Sequence, residues 1–117
     1  MRLEDLMTAG VVAVKESETL GEAQDRMESL DIHALPVTDA FGILVGIVTS
    51  EDLLRGHEPT LPVSRVMTSP VHTLPPDAEA VQAAEIMREH RHHHVVVLAN
   101  QRIVGIVSSL DLLKLLA

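Results

Sequence analysis

Two four-residue stretches place a hydroxyl and a carboxylate three positions apart: Thr49-Ser50-Glu51-Asp52 and Ser108-Ser109-Leu110-Asp111. Each lies where an apolar, β-branched stretch gives way to a helical pattern. An Asp at that point offers two acceptor oxygens, the chemistry that holds a vicinal diol such as the 2′- and 3′-hydroxyls of a ribose. The neighbouring hydroxyl and the free N–H groups of the helix start would hold phosphate or another polar group. The same spacing is also that of a helix N-terminal capping box, in which the Asp serves only the helix and its dipole. Spacing alone leaves both readings standing.

The run His90-Arg91-His92-His93-His94 is the other chemically unusual segment. On a strand, His92 and His94 share one face and His93 takes the other. Three uses compete: contact with a phosphate or purine, a metal ion shared by His at i and i+2, and a solvated strand end. No acidic or cysteine neighbour in sequence completes a metal set. Nor does any spacing of Asp, Ser and His suggest a nucleophile, base and orienter, so a non-enzyme is expected and no catalytic residue is assigned.

Composition narrows the class. The chain has 117 residues, 46% hydrophobic and 22% charged, with Phe41 its one aromatic residue and no cysteine. Disulfides, thiolate zinc sites and cysteine nucleophiles are thereby excluded. Lys and Arg number 9 against 17 Asp and Glu, a net charge of −8. An acidic chain without stacking platforms is a poor nucleic-acid binder. Charges interrupt every apolar run before the roughly 18 residues a membrane span needs. Glu4 and Asp5 follow Arg2 too closely for a secretory start. A cytoplasmic protein is expected, without nucleic-acid or membrane partners. The charge is uneven: residues 1–60 carry four basic and twelve acidic groups, whereas residues 61–117 carry five of each and five of the seven histidines.

The elements that must position these groups come from a duplication. An offset of 60 aligns Met7-Thr8 with Met67-Thr68, Ala23 with Ala83, Met27 with Met87 and His33 with His93. An offset of 59 then aligns Val45-Gly46-Ile47-Val48 with Val104-Gly105-Ile106-Val107, and Asp52-Leu53-Leu54 with Asp111-Leu112-Leu113. Each copy reads as β-α-β-β-α. Strands are expected at 11–14 and 71–74, with Ser17 and Asp77 as caps for helices carrying Leu20, Ala23 and Met27, or Val81, Ala84 and Met87. Strands at 32–37 and 93–98 pass through turns at 39–42 and 99–102 into 44–48 and 103–107. A last helix begins after Thr49 or Ser108. The expected division is 1–58, a Pro-bracketed linker at 59–62, and 63–117. The fold class is α+β, two repeats about a pseudo-twofold axis that bury their sheets against each other and leave two clefts.

With those residues in order over nearly the whole chain, the sequence resembles a tandem pair of CBS domains, a Bateman module, here as a stand-alone protein. The resemblance rests on Asp5-Leu6-Met7-Thr8, Ile32-His33-Ala34-Leu35-Pro36-Val37 and Gly46-Ile47-Val48-Thr49-Ser50-Glu51-Asp52, with their second-copy counterparts. It implies a non-catalytic regulatory module that takes AMP, ADP, ATP or S-adenosylmethionine as ligand and needs no other cofactor. It further implies crosswise clefts. One would join Thr8, Val12, Ile32, His33 and Ala34 to Ser108, Leu110 and Asp111. The other would join Thr68, His72, His92, His93 and His94 to Thr49, Glu51 and Asp52.

Two departures matter. Val95-Val96-Val97 stands where the first copy has Leu35-Pro36-Val37, and the implied cleft residues include no Lys or Arg. Fixed cationic donors are what a triphosphate normally needs, and Glu51 beside Asp52 would repel phosphates. AMP or a weakly charged ligand is therefore preferred in the second cleft. Ligand would act by population shift, passing a change to an unidentified effector protein. Leu112, Leu113, Leu115 and Leu116 crowd the C-terminus and suggest a buried or interfacial end, in keeping with a homodimer. The alternatives are an unliganded oligomerisation scaffold, with both Asp residues acting only as caps, and a histidine-dependent metal sensor.

Overall fold

Helix formation begins where the backbone N–H groups find partners. In the computed structural model, which describes residues 1–116, the first repeat contains α1 (Leu3–Leu6), β1 (Thr8–Ala9), β2 (Val14–Lys15), α2 (Leu20–Leu30), β3 (Ala34–Thr38), β4 (Leu44–Thr49) and α3 (Ser50–Leu53). After a 3-10 turn (Val63–Arg65), the second contains β5 (Thr73–Leu74), α4 (Ala80–His90), β6 (His94–Ala99), β7 (Arg102–Ser108), α5 (Ser109–Leu112) and a closing 3-10 turn (Leu113–Leu116). The β-α-β-β-α order is as expected; the opening strands are shorter, and α1 and β1 were not anticipated.

The helix starts differ from the sequence reading. Thr19 and Glu79 are the N-caps, two positions after Ser17 and Asp77. Glu18 N–H turns back to Lys15 O at 3.0 Å, so Ser17 sits in a turn, and Thr19 Oγ1 accepts from Glu22 N–H at 3.2 Å instead. In the second copy, Glu79 N–H donates to Gln82 Oε1 at 2.9 Å. With α4 starting at Ala80, its buried stripe is Ala80, Ala83 and Met87, while Val81 is 61% exposed and Ala84 faces solvent. The inward phase is that of Leu20, Ala23 and Met27 in α2. Both helices end on a non-glycine residue in the left-handed region, Asp31 (φ 53°) and Arg91 (φ 56°).

Packing divides the chain differently from the repeats. One compact unit is Val12–Val71; the other is Met1–Val11 together with the chain from His72 onward. The first unit holds a three-stranded sheet, β2-β3-β4, with β2 parallel and β4 antiparallel to β3. Leu20, Ala23, Met27, Leu35, Val37, Val48 and Val63 form its core. The second holds a four-stranded sheet, β1-β7-β6-β5, over a core of Leu3, Ala83, Met87, Val95, Val97 and Val107.

Each repeat therefore lends its opening Met-Thr segment to the sheet of the other. Thr8 pairs with Ile106, and Thr68 exchanges two backbone hydrogen bonds with Ile47, at 3.0 and 2.8 Å. The segment around 59–62 packs into the first unit, where Pro59 O and Leu61 O accept from Gly21 and Leu20 N–H. This exchange also redistributes charge. Residues 12–71 carry four basic and ten acidic groups (−6), and the other unit carries five and seven (−2).

Candidate functional site

Two short helices, α3 and α5, begin where the second hairpin strand of each unit ends. Thr49 N–H donates to Asp52 Oδ2 at 2.8 Å, and Asp52 N–H returns to Thr49 Oγ1 at 3.4 Å. Ser108 and Asp111 repeat the pattern at 2.8 and 3.1 Å. Both carboxylates thus form reciprocal capping boxes that satisfy otherwise orphaned donors. The next N–H in each case is taken by the facing strand's approach: Ser50 donates to His33 O and Ser109 to His93 O, both at 2.9 Å.

The two carboxylates differ in what is left over. Asp52 is only 8% exposed; its Oδ1 has no hydrogen-bond or ion-pair partner among the described residues and is not a fully buried orphan, so it is the part of the carboxylate that reaches solvent. Asp111 Oδ1 instead lies 3.2 Å from Lys114 Nζ. One repeat therefore presents a fixed acceptor oxygen, whereas the other covers its equivalent with an exposed cation.

The unit of residues 12–71 contains Val12, Ile32, His33, Ala34, Thr49, Glu51, Asp52 and Thr68. Ala34 is directly opposite Thr49 in the hairpin, and Thr68 lies against Ile47 two residues before it. Ile32 and His33 line a groove of about 380 Å³ with Met27, Ser50 and Leu53, which Thr49, Glu51 and Asp52 do not line. Val12 and Glu51 face solvent. The other unit contains Thr8, His72, His92, His93, His94, Ser108, Leu110 and Asp111. There His94 opposes Ser108, while Leu110 is 72% exposed.

The histidine run is not one strand. β6 begins at His94, and His92 lies before it with its N–H on Met87 O at 3.1 Å, so the expected shared face of His92 and His94 does not arise. The left-handed cap at Arg91 turns the chain there and delays the strand. His93 Nδ1 is 3.5 Å from Ser109 Oγ. His92 instead joins His72 and His90: ring centroids are 4.0 Å apart for His72 and His90, 5.3 Å for His72 and His92, and 6.3 Å for His90 and His92. Burial, then the charges of His90 and His92, lower the His72 pKa from its usual 6.5. This trio escaped the sequence reading because no local signal links His72 to His90. The parallel pairing of β5 with β6, across the intervening helix, brings them together.

Among the described residues, no group of three or more His, Cys, Asp or Glu is arranged to hold a metal ion, and no helix is long and apolar enough to cross a membrane.

A family model described as the CBS domain matches residues 3–57 and again 63–117. An inosine-5′-monophosphate dehydrogenase from Methanocaldococcus jannaschii is 32% identical over 97% of this chain, which spans 23% of that protein. The chain also spans 32% of an uncharacterised protein of the same organism. Hypoxic response protein 1 of Mycobacterium tuberculosis is 31% identical, with 94% of this chain and 81% of that protein covered. Among solved structures, the CBS domain pair of protein MJ0100, in complex with 5′-methylthioadenosine and S-adenosyl-L-methionine, superposes with a TM-score of 0.91 at 27% identity, covering 99% and 95% of the two chains. A hypoxic response protein structure with two coordinated zinc ions gives 0.82 at 30% identity, covering 97% and 98%.

Proposed function

The chain belongs to the CBS-domain family, with two repeats in tandem, and from that premise we propose that it is a regulatory module for an adenosyl ligand. The family role is regulatory and ligand-binding rather than catalytic. The observation that carries the finer reading is Asp52: a buried carboxylate whose Oδ2 is fixed by Thr49 N–H and whose Oδ1 is unpartnered among the described residues. Held in this way, it accepts a ribose hydroxyl without losing side-chain freedom on binding. Asp111 does the same once Lys114 swings aside. Thr8, Val12, Ile32, His33, Ala34 and Leu110, with Thr68, His72, His92, His93 and His94, supply the remaining contacts to base and phosphate in this reading. Glu51, Thr49 and Ser108 flank the two carboxylates.

The ligand bound by the MJ0100 pair supports the adenosyl class. Net charges of −6 and −2 on the two units favour AMP or S-adenosylmethionine over ATP, because each added phosphate charge meets a like-signed surface. Binding shifts the module between geometries, and an effector protein reads the change.

A scaffold reading draws on a different observation. The capping boxes account for both Asp residues without any ligand, and Leu113, Leu115 and Leu116 are 55%, 45% and 82% exposed in the chain, so the leucine-rich end is not buried by its own fold. Such a face suits a homodimer.

Titration calorimetry with AMP, ADP, ATP and S-adenosylmethionine separates the two. The ligand reading expects heat from wild type and loss of that heat in Asp52→Ala with the circular dichroism spectrum retained. No heat with any of the four would overturn it.

A further inference from the structure

We propose that His72, His90 and His92 form a proton-sensitive clasp that seats the segment entering β5 on the C-terminal end of α4 near neutral pH and loosens it as the histidines charge. The seat is otherwise slight. β5 is two residues long and lies at the edge of its sheet, paired only through Thr73 with Val96 and Leu74 with Val97. One further backbone bond, Val96 N–H to His72 O at 3.2 Å, fixes the residue before it. What holds the His72 side chain is ring contact: the His90 ring stacks on it at 4.0 Å with 27° between planes, and the His92 ring tilts against it at 5.3 Å.

Neutral imidazoles tolerate such stacking, as other aromatic rings do. Imidazolium rings at the same separation repel, and among the described residues no carboxylate forms an ion pair with any of the three. Among the described residues, the titratable rings in contact with His72 are His90, at the end of α4, and His92, in the turn into β6. β6 meets it through the uncharged Val96, whose N–H donates to His72 O, and carries one further titratable group, His94, at its start. Arg88, Glu89 and Arg91 share the helix end, but none makes a hydrogen bond or ion pair with the three rings among the described residues. The two neighbouring rings and partial burial both push the His72 pKa down, the direction a clasp closed in the neutral state requires.

Proton titration of the full chain, followed by NMR of the histidine rings and of the Val96 amide, tests this in metal-chelated buffer. The expected result is a His72 midpoint below 6.5, with the Val96 amide shifting at the same midpoint. In His90→Asn and His92→Asn, both at exposed or half-buried positions, the His72 midpoint moves upward. A His72 midpoint unchanged in both variants, or a Val96 amide indifferent to it, overturns the proposal. A thermal melt of each variant at pH 8 verifies that the comparison is made between folded chains.

Discussion

Leu3 donates its backbone N–H to Ala78 O at 2.9 Å, although they stand 75 positions apart and belong to different sequence repeats. Leu3 is fully buried there, in the core built from α4, β6 and β7. Its counterpart is Val63, equally buried but in the core of α2, β3 and β4. The opening of each repeat is thus a structural part of the other.

Leu3→Ala is therefore expected to destabilise residues 72–116 rather than the repeat that encodes it. A buried Leu truncation costs about 2–5 kcal/mol. Hydrogen exchange should show faster opening of β6 and β7 with β3 and β4 little changed, and Val63→Ala should show the reverse. Loss of protection in β3 and β4 for Leu3→Ala would contradict the exchange.

Gly46 and Gly105 occupy matching positions where a side chain has no room. A Cβ at Gly46 would lie 2.5 Å from Met67 Sδ and 3.1 Å from Thr68 O; at Gly105 it would meet Met7 Sδ and, at 3.0 Å, Thr8 O. The thioether can move, but the backbone carbonyls cannot without breaking the bridging pairs. Gly46→Ala and Gly105→Ala should each cost about 1–3 kcal/mol in denaturant titration. Adding Met67→Ala to the first should recover only part of that loss.

Asp52→Ala and Asp111→Ala both remove a capping box, and each should lower stability by about 1 kcal/mol. Their ligand effects should differ. Asp52 Oδ1, without a partner among the described residues, makes it the stronger determinant, whereas Lys114→Ala should strengthen binding at Asp111 by freeing its second oxygen. Calorimetry on the three variants reads this directly; tighter binding in Asp111→Ala would sink the assignment.

The pH dependence of stability follows from His72. Its folded pKa is below the unfolded value of 6.5, so the folded chain binds fewer protons than the unfolded chain as pH falls past that point. The contribution of His72 is fully present above pH 6.5 and declines below it. Carboxylate protonation acts at the same time, so the informative quantity is a difference. The melting temperature should fall more between pH 7.5 and pH 5.5 in wild type than in His72→Asn. Equal falls would show that the ring contacts carry no proton linkage.

The sequence by itself determined the duplication, the β-α-β-β-α order, the family resemblance and the Thr49–Asp52 and Ser108–Asp111 pairs, because each is written in short-range spacing and in an offset of 60 or 59. It misplaced the helix caps by two positions and the α4 stripe by one, since Ser17 and Asp77 are adequate caps by type and only the hydrogen bonds of neighbouring segments choose between them. Tertiary structure alone decided which sheet each Met-Thr segment joins, which histidines touch, and which of two equivalent carboxylates retains an open oxygen. Those outcomes depend on contacts between residues far apart in the chain: Thr8 with Ile106, His72 with His90. Even Lys114 and Asp111, three residues apart, meet only because α5 continues into a 3-10 turn that brings the ammonium back over the carboxylate.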